Sequence, residues 1–207
     1  MAPSILRQSL AKIGDLSDEE WDLLKGTATP KEFKRGEHVL DEGEICRAYF
    51  FVEKGYLRTY YNKDGIEINL QFSFEGDFTT NFKSLKNEKP SHFIIEAGEK
   101  SRVWIFDRDK MKPLYFEKEA IGLLLRRLAM QLLLSSEEYS NLYKISTPTQ
   151  RYEYIEQHKP EVLARYEIIL ERERRGNPPE VQAKLDAIRA KFQAMLAERR
   201  AKVNGAS

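Results

Sequence analysis

Between Arg47 and Asp77 the chain reads RAYFFVEKGYLRTYYNKDGIEINLQFSFEGD, and no other stretch constrains the fold as tightly. Aromatic and β-branched residues come in short runs, broken by Lys-Gly in EKGY and Asp-Gly in NKDGI, the signals of tight hairpins. The same texture spans Phe33 to Asp107, through EHVLDEGE and HFIIEAGEKSRVWIF. Turn signals spaced about 6 to 12 residues apart describe strands too short to form an open sheet alone, so they imply an antiparallel roll or barrel.

Helical patterns flank this region. Residues 4 to 26 read as helical: in LSDEEWDLL, Ser17 is an N-cap with Glu20 three residues on, a capping box, and Gly26 ends the segment. From Glu117 to Ile145 the apolar period becomes helical. Ile121, Leu125, Leu128, Leu132, Tyr139 and Leu142 form a stripe stepping by four and three, with Ser135 at its polar break, and Leu123, Leu124, Leu133 and Leu134 widen it. A doubled stripe calls for two partners, so the expectation is a long helix with one face on the roll and the seam from Ile121 to Leu142 on the same helix of a second copy. After STPTQRYEYIEQHKP come two Ala/Glu/Arg-rich helical segments, residues 161 to 175 and 180 to 202, joined by RGNPP. Matched stripes, Val181-Leu185-Ile188-Phe192-Met195 beside one of alanines, follow the rules by which helical hairpins are engineered, which predicts an engineered tail. The expected fold class is therefore α+β: N-terminal helices and roll over residues 1–115, a dimerisation helix over 116–146, and a C-terminal helical hairpin over 147–207.

Several function classes lack their apparatus. The single cysteine, Cys46, rules out an internal disulfide, and the spacing of His38, His92 and His158 matches neither a structural zinc site nor the paired histidines of a cupin-type metal enzyme. Neither a Gly-rich phosphate loop of the Walker type nor a nucleophile elbow occurs. SDEE and SSEE read as helix caps, ERERR as a solvated helix end, and Cys46 beside Arg47 as a small apolar residue near a strand. No run reaches the length of a membrane span. The net charge of +1 divides into 10 Lys+Arg against 7 Asp+Glu over residues 161 to 202, and 24 against 26 elsewhere, too even to argue for nucleic acid. A cytoplasmic, non-enzymatic protein without metal or cofactor is expected.

RGEHVLDEGE, AYFFVEKGYLRTYY, DGIEINLQFSFEGDF and IIEAGEKSRVWIFD, in that order, resemble the effector domain of the cyclic-nucleotide-binding regulators of the catabolite-activator (Crp/Fnr) type. The resemblance runs from about residue 15 to 160 and implies a cyclic-nucleotide-binding-like β-roll, a double-stranded β-helix. In nucleotide-binding relatives the strand-end Gly-Asp precedes a helical turn with Gly-Glu and, about ten residues on, an Arg. Those groups hold the cyclic phosphate and the ribose. Here Gly76 and Asp77 are kept, but the Gly-Glu positions fall on Thr80 and Asn81 and the Arg position on Ser91. The resemblance thus implies a degenerate cassette, either vestigial or serving a smaller or neutral ligand through Thr79, Thr80, Asn81, Lys83 and Ser91, and not cyclic AMP. Such regulators end in a helix-turn-helix. RYEYIEQHKPEVL resembles its lead-in, but the long helices and RGNPP do not continue it, so DNA is not expected as a partner. The expected function is a homodimeric sensor or scaffold; the alternative is a DNA-binding transcription regulator with a diverged C-terminal domain.

Overall fold

The capping box forms as LSDEE predicts. In this computed structural model, which describes residues 4–63 and 66–144, Ser17 caps α2 (Asp18–Gly26): its hydroxyl accepts from the Glu20 amide, and the Glu20 carboxylate accepts from the Ser17 amide at 2.9 Å. A shorter helix, α1 (Ile5–Ala11), precedes it. Then come β1 (Ala28–Phe33), β2 (His38–Leu40), β3 (Ala48–Lys54), β4 (Leu57–Lys63), β5 (Ile66–Ser73), β6 (Phe78–Thr79), α3 (Phe82–Asn87), β7 (Ile94–Ala97), β8 (Ser101–Asp107), α4 (Arg108–Glu117) and α5 (Glu119–Lys144).

The strands form two four-stranded antiparallel sheets, ordered β1-β8-β3-β6 and β2-β7-β4-β5, the α+β roll the spacing implies. NKDGI does join paired strands, with Lys63 opposite Ile66; Asp64 and Gly65 lie outside the described residues. EKGY does not make the expected hairpin, because β3 and β4 belong to different sheets. Gly55 carries the chain across with φ +85°, and a Cβ there would stand 2.4 Å from Ser101 Oγ. The strand region also starts earlier than Phe33. β1 contains Pro30, which is tolerated because β1 is an edge strand paired only with β8.

Side chains from both sheets meet in one core, with Phe50, Val52, Leu57, Ile95 and Val103 among its buried members. Leu85 of α3 joins them, so the short helix plugs the roll. A second core lies on the other face of β3, where Phe51, Phe78 and Phe106 pack against Leu6, Trp21, Leu24 and Met111 from the helices. Because β3 is buried on both faces, AYFFV is an almost unbroken apolar run.

Over its described part, the seam expected to meet a partner helix packs against this chain's own core. Ile121 and Leu128 are buried in this second core, and Leu125 and Leu132 pack against it, so α5 spends that stripe on its own chain. The side chains of Tyr139 and Leu142 lie outside the described residues, as do residues 147–207 and the hairpin expected there. What α5 leaves in solvent is another stripe, Leu123, Met130 and Leu134, at spacings of seven and four residues, with Leu133 beside it. At 3.6 residues per turn that stripe lies opposite Ile121, Leu128 and Leu132.

Candidate ligand site

The stretch EGDFTTNFKSL, residues 75 to 85, is built as a turn, two strand residues and a helix. Gly76 sits at φ +90° and donates its N–H to Val52 O at 2.9 Å, tying the turn to β3. The Asp77 carboxylate closes on its own turn, accepting from the Phe74 amide at 2.9 Å. The Gly-Asp pair therefore has a complete structural task, whatever the residues after it do.

Those residues turn their polar groups inward. The Thr80 hydroxyl donates to Ala48 O at 2.8 Å, and Cys46 Sγ lies 3.3 Å from that hydroxyl. Asn81 caps α3, its Oδ1 accepting from the Ser84 amide at 3.1 Å. Its Nδ2 donates to Ser91 Oγ at 2.7 Å. Ser91 Oγ donates in turn to Phe93 O at 2.5 Å and accepts from the Phe93 amide at 3.0 Å. Ser84 Oγ accepts from the Cys46 amide at 2.9 Å and donates to Lys89 O at 2.5 Å. Asn81 is 6% exposed and Ser91 1%.

The structure thus brings together Thr80, Asn81 and Ser91 with each other and with Cys46 and Ser84, and buries Thr79 in β6. Lys83 points away from this network, exposed on α3. The positions expected to hold a carboxylate and a guanidinium, Asn81 and Ser91, hydrogen-bond to one another. Ser84 was not foreseen: NFKSL read as a ligand loop, and a serine one turn into a helix carries no mark of an amide partner 38 residues away. Cys46, at 0% exposure, is the small apolar core residue that its sequence context implied.

A second polar constellation sits on the β2-β7-β4-β5 sheet, where β-register puts Arg58 opposite Glu96. Arg58 donates Nε and Nη2 to the two Glu96 oxygens at 3.1 and 2.9 Å, and Nη1 to Glu67 at 2.6 Å. The Tyr60 hydroxyl donates to Glu96 at 2.9 Å, and His38 Nε2 lies 3.7 Å from the same carboxylate while Nδ1 pairs with Asp41. Burial acts to raise the Glu96 pKa, but the hydrogen bonds from Arg58 and Tyr60 and the nearby positive charge hold it below its ordinary value. Burial and the bond to Glu96 push the Tyr60 phenol up to about 12. Both Glu96 oxygens are thus engaged by side chains of its own sheet, as in a structural network.

The model of the cyclic nucleotide-binding domain matches residues 30–118. No curated protein matches the chain in sequence. Among solved structures, a cyclic nucleotide-binding domain from Methylobacillus flagellatus superposes with TM-score 0.60 at 17% identity, over 69% of this chain and 83% of that one. The catabolite activator protein of Thermus thermophilus does so with TM-score 0.54 at 20% identity, over 66% of this chain and 63% of its own. The sensor domain of the transcriptional regulator DNR from Pseudomonas aeruginosa gives 0.51 at 18%, over 70% and 93%. At these identities the likeness is one of fold.

Proposed function

We propose that this chain, whose residues 30–118 form a domain of the cyclic nucleotide-binding family, is a non-enzymatic sensor or scaffold whose cassette no longer takes a cyclic nucleotide. The observation that carries the reading is the buried Asn81–Ser91 hydrogen bond. A nucleotide phosphate would have to break it and would find an amide and a hydroxyl where a fork of positive charge is needed. In thermal melts with cyclic AMP or cyclic GMP at about 1 mM, the expected result is an unchanged melting temperature. A ligand at a hundred times its Kd adds about 2.7 kcal/mol. A rise of several degrees would therefore mean that the cassette is functional after all.

The reading includes a homodimer formed through α5, using the exposed stripe in place of the buried one. Leu123, Met130, Leu133 and Leu134 give that face four large apolar side chains in solvent. Light scattering should return twice 24.2 kDa for the wild type. Leu123→Lys with Met130→Lys should return one chain's mass with the roll still folded; a monomeric wild type, or a double variant that stays dimeric, refutes this arrangement. The tail, with the engineered regularity of residues 161 to 202, stands in this reading where a DNA-reading module would otherwise be, and DNA is not a partner. A buried, unpaired Cys46 fits a reducing, cytoplasmic setting, and among the described residues no helix is long and apolar enough to cross a membrane.

A further inference from the structure

A cavity of about 500 Å³ opens between α3, α4 and α5, floored by Tyr49 of β3. It is within the range of small-molecule sites. Phe82 and Leu85 of α3, Met111 and Tyr115 of α4, and Leu125 of α5 line it. Phe116, also in the lining, is left 74% exposed, and among the described residues its one ring contact is the edge of Tyr115 at 5.0 Å between ring centroids. The apolar wall alone does not name an occupant. Its charges do.

Four cations and one carboxylate share the lining. Arg108 is committed: Nη1 donates to Glu88 at 3.0 Å and to Leu85 O at 3.2 Å, and Nη2 to Asp109 at 2.9 Å. That pairing neutralises Glu88, the one acid in the lining. Among the described residues Lys86 and Lys112 have no ion pair, and Arg126 has an aromatic partner only, its guanidinium 5.5 Å from the centre of the Tyr115 ring. The cavity is thus apolar with an uncompensated positive charge of three. With its fork occupied, Arg108 is not available to grip a phosphate in bidentate fashion, and what remains are two lysine point charges and a stacked arginine.

We propose that this cavity binds an amphipathic monocarboxylate, a medium- to long-chain acyl acid whose chain lies against Leu85, Met111 and Leu125 and whose carboxylate meets Lys86 and Lys112. The site shares no polar side chain with the Asn81–Ser91 network; the two have α3 in common, which Asn81 caps and which lends Phe82, Leu85 and Lys86 to the lining, so the variants below leave Asn81 and Ser91 in place.

The test is calorimetric titration of the full chain with dodecanoate. The expected result is saturable binding, one per chain, that weakens as salt is raised. Octanoate should bind at least about ten-fold more weakly, since each methylene removed from an apolar wall is worth about a factor of four. Dodecanol, with the same chain and no charge, and the Lys86→Ala/Lys112→Ala variant with dodecanoate should each lose about five-fold. Ala129→Trp, which fills the cavity from α5, should abolish binding while the melting temperature stays near that of the wild type. No saturable heat with dodecanoate, equal affinity for dodecanol, or an unchanged Kd in the lysine variant would each overturn the proposal. The lysine variant, exposed at both sites, decides the matter if the tryptophan variant does not fold.

Discussion

Leu128→Asp is expected to unfold this protein, not to divide a dimer. Leu128 is 3% exposed and packs in the core that holds Leu6, Leu10, Trp21, Leu24 and Met111, so its side chain joins α5 to the two N-terminal helices. Truncating such a leucine costs about 2–5 kcal/mol through lost burial and the cavity left behind. A carboxylate in that cavity adds the cost of removing a charge from water without a partner. Together these approach the whole stability of a domain, about 5–15 kcal/mol. Circular dichroism melts should show the cooperative transition lowered by more than about 10 °C or lost. Met130→Asp, two residues away but 58% exposed, should change the melting temperature of the monomer little, because a surface substitution stays within about 0.5 kcal/mol. A Leu128→Asp protein that melts like the wild type and runs as a clean monomer would place the partner helix on the buried stripe after all.

The contrast between these two residues shows where the sequence was legible. Periodicity announces that α5 has two apolar faces, and it does: Ile121, Leu124 and Leu128 on one, Leu123, Met130 and Leu134 on the other. It does not say which face meets the chain's own core, because a leucine every three or four residues is the same signal whether its neighbour is a roll or a second helix. Sheet pairing was legible where a turn fixed it, as at Lys63 and Ile66 across the Asp-Gly turn, and illegible at Gly55, where the same Lys-Gly cue carries the chain between sheets. In the cassette, the loss of the carboxylate and guanidinium positions could be read from Asn81 and Ser91 alone. That they bond to each other depended on the loop between them folding back against residues 43 to 46, where the Gly43 amide donates to Ser91 O and the Ser91 amide to Glu44 O. The Arg58–Glu96 pair was missed for a simpler reason. Polar residues alternating along a strand look like a solvated face, and only the register of β4 against β7 brings these two, 38 residues apart, together.

That pair sets the largest electrostatic effect expected in the fold. Arg58→Ala leaves Glu96, 8% exposed, with the Tyr60 hydroxyl and the edge of His38 in place of a bidentate guanidinium. Breaking a fully buried pair costs about 3–5 kcal/mol and an exposed one less than about 1, so with Arg58 itself partly in solvent the expected loss is about 3 kcal/mol. For a chain of this length that lowers the melting temperature by about 6–12 °C. The pH dependence separates this cause from simple loss of packing over Tyr60, whose ring lies 4.2 Å from the Arg58 guanidinium. In the wild type the folded-state pKa of Glu96 lies below its ordinary 4.5, so its stabilisation is complete above that value and is lost as pH falls through the folded one. Without Arg58 burial is opposed only by the Tyr60 hydrogen bond and the His38 charge, so the folded pKa rises and the ionised carboxyl contributes less to stability than in the wild type. The gap between wild type and variant should therefore be widest near neutrality and shrink as pH falls through the carboxylate range, because Glu96 takes up its proton at higher pH in the variant than in the wild type. Removing the buried charge as well, in Arg58→Ala/Glu96→Ala, should cost less than the sum of the single variants by about 2 kcal/mol. Urea titrations of the four proteins at neutral and acid pH measure all of this. A gap that stays constant with pH, or additive single variants, would mean that Arg58 stabilises the sheet by contact alone and that its charge contributes nothing.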